Sequence, residues 1–170
     1  MNRRPPGRRP LHRRLLSRGL LRQGYRVASV AADLWWGVWG SRNRGAKCVL
    51  FNDGDVLLVR HTYGDRRTWD FPGGFVRRRE EPVAAACREL GEELGVEAPA
   101  LRDVGSVLVE FGRRRDTVYY FRGDLPDRRL AHDDVELAEI GWFAPEALPR
   151  HPGDHVAAVL RRSEGARTAG

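Results

Sequence analysis

Three carboxylates within five residues, Glu89, Glu92 and Glu93, are the part of this 170-residue chain best suited to do chemistry. They fall in residues 82–94, whose pattern reads as a helix. Pro82 suits a first helical position because its missing N–H would have no partner there. Glu80 and Glu81 place negative charge at the positive end of the helix dipole. Gly95 suits a left-handed cap at the other end. With about 100° of turn per residue, Val83, Cys87, Leu90 and Leu94 form one narrow stripe. That stripe is the expected core face, with Cys87 as an inert buried thiol. The three glutamates share a separate arc, and Glu92 and Glu93 are expected to be exposed. Carboxylates at i, i+3 and i+4 repel one another, and only Arg88 is adjacent. Such a trio is either a solvated acidic face or a set of hard oxygen ligands whose repulsion a divalent cation removes.

The neighbouring spacing bears on that choice. Gly74 is followed after five residues by Glu80, and seven residues later comes Arg88-Glu89-Leu90-Gly91-Glu92-Glu93-Leu94-Gly95-Val96. These 23 residues match every fixed position of the Nudix box, and over about residues 46–160 the chain resembles the Nudix hydrolase (MutT-like) family. The resemblance implies an α/β/α sandwich with a mixed β-sheet, and a box folded as loop, helix and loop. It implies hydrolysis of a diphosphate linked to another moiety, usually a nucleoside derivative, with Mg2+ or Mn2+. Carried over by position, Glu92 and Glu93 are the principal metal ligands, Glu89 is a further ligand or the base for the attacking water, and the Gly73 carbonyl is a further contact to the ion. Arg88 pairs with carboxylates such as Glu80 and supports the ligands, while Gly74, Glu80 and Gly95 are structural positions of the box. A base from a later loop is the other option, with Glu136 as the candidate and Asp133, Asp134 and Glu139 as rivals. The residue types suit the chemistry. A diphosphate repels hydroxide, and a bound magnesium offsets its charge and acidifies water. Magnesium in turn prefers oxygen ligands.

The elements that must position these groups are legible in outline. Two apolar runs, 46–51 and 56–60, flank Asn52-Asp53-Gly54-Asp55 and read as a hairpin with an Asp-Gly turn. Residues 69–71 read as a short strand ended by Pro72-Gly73-Gly74. Residues 104–111 and 117–122 read as strands joined by a turn at 112–116, and 140–143 as a further strand. Residues 145–148 and 156–162 read as short helices. Strands on both sides of a central helix predict an α/β layered domain over 45–162 with a frayed tail at 163–170. Substrate contacts are expected from Arg60 with His61 and Tyr63 at the end of the second strand, and phosphate contacts from Arg77, Arg78 and Arg79 in the box loop, unless these are solvated. Arg113-Arg114-Arg115 is expected to face solvent in the hairpin turn. Trp69 either stacks on a base or fills the core. Substrates from ADP-ribose-like molecules to nucleoside triphosphates, including oxidised ones, remain open. So do two alternatives: a catalytically silent nucleotide-sensing or docking module, and a pyrophosphohydrolase of RNA 5′ ends.

Charge divides the chain. Residues 1–45 carry eleven arginines and a single acid, Asp33, whereas the remainder is mildly acidic, within a total of +7. Residues 1–10 are Arg, Pro and Gly and cannot bury surface. From 11 to 39 an apolar stripe runs beside an arginine stripe, and Trp35, Trp36 and Trp39 close the segment. Residues 1–44 therefore read as a basic N-terminal extension, partly an amphipathic helix, that packs on the domain or a partner subunit, or lies peripherally on an anionic membrane. The 14-residue apolar stretch 27–40 is shorter than the ~20 a bilayer span needs. Nucleic acid is a poor fit because no reading motif accompanies the arginines. Two cysteines rule out a disulfide framework, no Cys/His spacing suits structural zinc, and a cytoplasmic location is expected. A homodimer remains open.

Overall fold

The computed structural model describes residues 44–62, 65–111, 114–131 and 136–165. The expected N-terminal helix at 11–39, Tyr63, Arg113, Asp133, Asp134 and the tail beyond 165 lie outside the described residues.

The sheet is built around β1 (Arg44–Asn52). It turns directly into β2 (Asp55–His61), with Asn52 opposite Asp55. Asp53 (φ 50°) and Gly54 (φ 87°) are both left-handed, as a two-residue turn matched to strand twist requires. Along its other edge β1 runs parallel to β5 (Arg114–Asp124), which is antiparallel to β4 (Arg102–Phe111). β6 (Leu137–Phe143) lies antiparallel to β2. The order is β4-β5-β1-β2-β6, a mixed sheet. Arg115 and Asp116 are strand residues, so the turn between β4 and β5 is tighter than the expected 112–116.

β1 also pairs at its N-terminal half with β3 (Gly73–Phe75), while its C-terminal end pairs with β2. β1 and β2 therefore diverge, and the segment 69–75 threads between them. Asp70 exchanges backbone hydrogen bonds with Val59 of β2, and Cys48 of β1 donates to the Pro72 carbonyl. The strand expected at 69–71 is thus an isolated bridge, and regular pairing starts only at Gly73. Pro72 has no N–H to extend a ladder.

Two apolar layers flank the sheet. Ala46, Cys48, Leu50, Leu57 and Val59 pack with Ala86 and Leu90 of helix α1 (Pro82–Glu93) and with Leu94 at its C-terminal cap. Val49, Phe51, Val56 and Leu58 pack with Val156, Val159 and Leu160 of helix α2 (Val156–Gly165). The strict alternation along β1 and β2 divides each strand between the two layers, giving the α/β/α sandwich. α2 runs three residues past its expected end at 162. Residues 145–148 make a turn, with Ala147 N–H donating to the Ala144 carbonyl, instead of a helix. Among the described residues no helix is long and apolar enough to cross a membrane.

Candidate active site

α1 begins at Pro82 and ends where expected. Leu94 N–H donates to the Leu90 carbonyl, and Gly95 (φ 64°) reverses the chain. A Cβ at Gly95 would lie 2.9 Å from Ala131, so glycine is required there for both conformation and space. The buried face of α1, however, differs from the expected stripe. Ala86, Glu89, Leu90 and Glu93 are buried, whereas Val83 and Cys87 are exposed. Cys87 is therefore not the buried thiol expected; Cys48 is. Glu93 is not exposed either, at 1% of its free area, while Glu92 is half-exposed. The helix turns two carboxylates toward the sheet because β3 meets them there with glycine. A Cβ on Gly74 would stand 2.7 Å from the Glu89 carboxyl carbon. Gly73 (φ 135°) presses against β1, where a Cβ would overlap the Ala46 carbonyl oxygen.

Gly73 N–H donates to Glu93 Oε2 at 2.9 Å. Burial raises the Glu93 pKa well above its ordinary value, and the charges of Glu89 and Glu136 add to the rise. Burial likewise pushes Glu89 up to about 7, against the pull of Arg88 and with Glu92 and Glu136 adding to it. Arg88 ties the cluster together. Its Nε and Nη2 donate to the two Glu80 oxygens at 2.9 and 3.1 Å, and Nη2 also donates to the Phe75 carbonyl. Its Nη1 donates to Glu89 Oε1 at 2.7 Å and to Glu92 Oε2 at 3.1 Å. Only a planar guanidinium fork serves so many oxygens at once. Burial disfavours its charge, but the carboxylates outweigh that and raise its pKa. Glu80 is in turn lowered, chiefly by Arg88.

Glu136 is half-buried beside this group, and its carbonyl accepts from Thr62 N–H at 2.9 Å. Arg77 Nη2 stands 3.7 Å from Glu92 Oε1, and Arg78 is exposed in the same loop. The other two expected substrate contacts belong elsewhere. Trp69 is 7% exposed and meets Phe143 edge-on in the α2-side layer. Arg60 covers the Trp69 ring and is paired with Glu139. Trp69 is thus a core residue, while Arg60 and Glu139 form a partly exposed ion pair. Burial lowers the His61 pKa to about 4, with Lys47 adding, so its ring is neutral near pH 7.

Lys47, Asp70 and His155 form a polar cluster with no counterpart among the sequence-based expectations. Lys47 pairs with Asp70, whose other oxygen meets His155 Nε2 at 2.8 Å. Burial alone would raise the Asp70 pKa, but Lys47 and His155 prevail and hold it far below the usual range. A lysine inside the apolar run of β1 was the available signal.

The site suits a hard divalent cation. Its donors are all oxygens, and two of them are buried carboxylates whose pKa values are raised first by burial and then by neighbouring carboxylates. With Arg88 drawing Glu89 and Glu92 to itself and Gly73 holding Glu93, no three His, Cys, Asp or Glu groups among the described residues converge as a ligand set.

A model of the NUDIX domain matches residues 41–162. The chain belongs to the Nudix family of pyrophosphohydrolases. It is 31% identical over 107 residues to a Bacillus subtilis protein named "Putative 8-oxo-dGTP diphosphatase", covering 62% of this chain and 69% of that one. It is 30% identical over 102 residues to the NAD-capped RNA hydrolase NudC of Mycobacterium tuberculosis, covering 59% of this chain and 32% of that one. The fold matches the crystal structure of a MutT Nudix hydrolase from Burkholderia pseudomallei with a TM-score of 0.66 at 22% identity, over 72% of this chain and 98% of that one. Residues 74–96 are thus a Nudix box within a Nudix fold, with every fixed position of the box present.

Proposed function

We propose that this Nudix protein cleaves the pyrophosphate bond of a nucleoside diphosphate linked to another moiety, with Mg2+ or Mn2+ bound by Glu89, Glu92, Glu93 and the Gly73 carbonyl. The observation that carries this reading is the burial of Glu89 and Glu93 together: burial raises both pKa values, and the Glu89 charge raises that of Glu93 further. Two acids confined this way are destabilising unless a cation or a proton joins them.

The bound ion supplies charge neutralisation for the diphosphate and a more acidic water. The chain's own residues do the rest. Glu92 is the most open of the three and lies 3.7 Å from Arg77. Glu93 is held by Gly73 N–H, which fixes its carboxylate against rotation. Glu89 is either a further ligand or the group that takes the proton of the attacking water; in the metal-free protein burial raises its pKa. Glu136 acts on the same group as a neighbouring charge that raises its basicity. Arg88 positions the carboxylates and touches no reacting atom.

The test is a magnesium-dependent panel of 8-oxo-dGTP, unmodified nucleoside triphosphates, ADP-ribose and NAD-capped RNA. The wild-type chain is compared with Glu92→Gln and Glu93→Gln. Loss of ligand chemistry worth several kcal/mol lowers kcat/KM by about 100-fold or more, with the fold retained by circular dichroism. Activity near wild type in both variants would remove the assignment.

A further inference from the structure

The box loop holds a feature that the hydrolytic reading does not use. Arg77, Arg78 and Arg79 occupy a turn closed by Glu80 N–H donating to the Arg77 carbonyl at 3.1 Å. Arg79 sits there at φ 67°. At the third position of such a turn a positive φ favours glycine, and an arginine is strained. The turn cannot relax, because it is fixed from several sides. Glu80 Oε2 accepts from Arg77 N–H at 2.7 Å, Arg44 Nη2 donates to the Glu80 carbonyl at 3.1 Å, and Arg88 grips both Glu80 oxygens. Strain held in place by its surroundings is a pointer to use. Arg77 is engaged with Glu92. Arg78 and Arg79 are exposed, and no described acid pairs with either, although Glu81 follows two residues later. Two uncommitted guanidiniums are thus carried on a rigid turn whose first arginine reaches a box carboxylate.

We propose that Arg78 and Arg79 form an anion subsite for the phosphate that extends beyond the cleaved diphosphate, so that the site selects substrates with a free terminal phosphate over diphosphates capped at both ends. This rests on the hydrolytic reading above and names the substrate class that reading leaves open. A triphosphate carries a terminal charge beyond the cleaved diphosphate, and the turn bearing these two exposed cations adjoins the carboxylate cluster through Arg77, 3.7 Å from Glu92. A capped diphosphate such as ADP-ribose places a neutral sugar there. Planar guanidiniums suit phosphate oxygens, and presenting them on a fixed turn lowers the ordering cost of binding.

The experiment uses the full chain and the variants Arg79→Gly, Arg79→Asn and Arg79→Lys. Glycine relieves the strain and removes the charge. Asparagine also tolerates a positive φ. Lysine keeps charge and strain. Unfolding by urea reads the strain: Arg79→Gly should shift the folding equilibrium toward the native state by about five- to thirtyfold. Titration with inorganic tripolyphosphate in EDTA reads the subsite without turnover: Gly and Asn variants should bind about fivefold more weakly at low salt, a difference that shrinks at high salt. The leader's arginines contribute equally to all variants and cancel in the comparison. With magnesium, KM for nucleoside triphosphates should rise in the Gly variant at unchanged kcat, while KM for ADP-ribose stays put and Arg79→Lys stays near wild type. A more stable Arg79→Gly that binds tripolyphosphate as wild type does would overturn the subsite. An Arg79→Gly no more stable than wild type would overturn the strain argument. A wild-type chain that hydrolyses none of the panel fails the hydrolytic reading instead, whatever the titration shows.

Discussion

Replacing Glu89 with glutamine should make the metal-free protein more stable above neutral pH, at the expense of activity. In the folded chain the Glu89 pKa is pushed up to about 7 from an ordinary 4.5 by burial, net of the pull of Arg88. A raised folded pKa means that the folded state holds its proton longer than the unfolded state does. Below pH 4.5 both states are protonated and the side chain adds no penalty. Between 4.5 and 7 only the unfolded state ionises, and folding loses free energy steadily. Above 7 the penalty is constant, and with 1.36 kcal/mol per pKa unit it amounts to about 3 kcal/mol. Glutamine carries no proton to release and keeps an oxygen for Arg88 Nη1, so it escapes the penalty apart from a weaker bond to that arginine. The measurement is urea unfolding in EDTA, followed by tryptophan fluorescence, at pH 4.5 and pH 8. The variant should unfold at higher urea at pH 8 and within about 0.5 kcal/mol of wild type at pH 4.5. Adding Mg2+ at pH 8 should narrow the gap, because the ion stabilises the protein that binds it better. A gap that is absent at pH 8, or of equal size at both pH values, would refute the reasoning.

Gly73→Ala should destabilise by about 3 kcal/mol or more: the new Cβ overlaps the Ala46 carbonyl oxygen and stands 2.8 Å from Lys47 Cα, and thermal unfolding reads the loss. Asp70→Asn leaves the partly buried Lys47 without its charged partner, which should cost about 1–3 kcal/mol. Because the Asp70 pKa is depressed, that stabilisation is present above its ordinary value of 3.8 and is lost as pH falls below it, so chemical denaturation at pH 7 and at acid pH should show the variant's deficit shrinking. Of the two cysteines, exposed Cys87 should react with a thiol reagent in the native protein. Cys48, buried and with its pKa raised by that burial, should react only after unfolding, giving one fast thiol natively and two in denaturant.

The sequence displays whatever a local rule determines. The β1–β2 turn was readable because Asp53 and Gly54 are residues that accept a left-handed backbone. Both ends of α1 were readable from Pro82 and Gly95, and the box from its spacing. The rotation of α1 was not. Counting apolar residues put Val83 and Cys87 inward, since a carboxylate is ordinarily assigned to solvent. What admits Glu89 and Glu93 to the interior is the pair Gly73 and Gly74 on β3, and that vacancy belongs to a neighbour and not to the helix. Trp69 and Arg60 were legible as a pair of useful side chains but not as a stacked pair in the opposite layer, because the alternation of β2 fixes the side only once the sheet is assembled. Lys47 was visible as a charge in an apolar strand. Its partner Asp70, 23 residues away, and His155, which holds the other Asp70 oxygen, were not.

The two faces of the sheet are joined through the segment that threads between β1 and β2. Asp70 and Gly73 are three residues apart. The first is held by Lys47 and His155 on the α2 side and by the Val59 backbone. The second is paired to β1 and gives its N–H to Glu93 on the α1 side. Pro72 between them restricts the chain, and Cys48 N–H holds the Pro72 carbonyl. A shift at Asp70 therefore has little slack in which to dissipate before it reaches the N–H that fixes the most deeply buried carboxylate. The partly buried ion pair is a poor source of net stability. Its value lies in placing Gly73, whose N–H to Glu93 opposes the burial that raises the pKa of that glutamate.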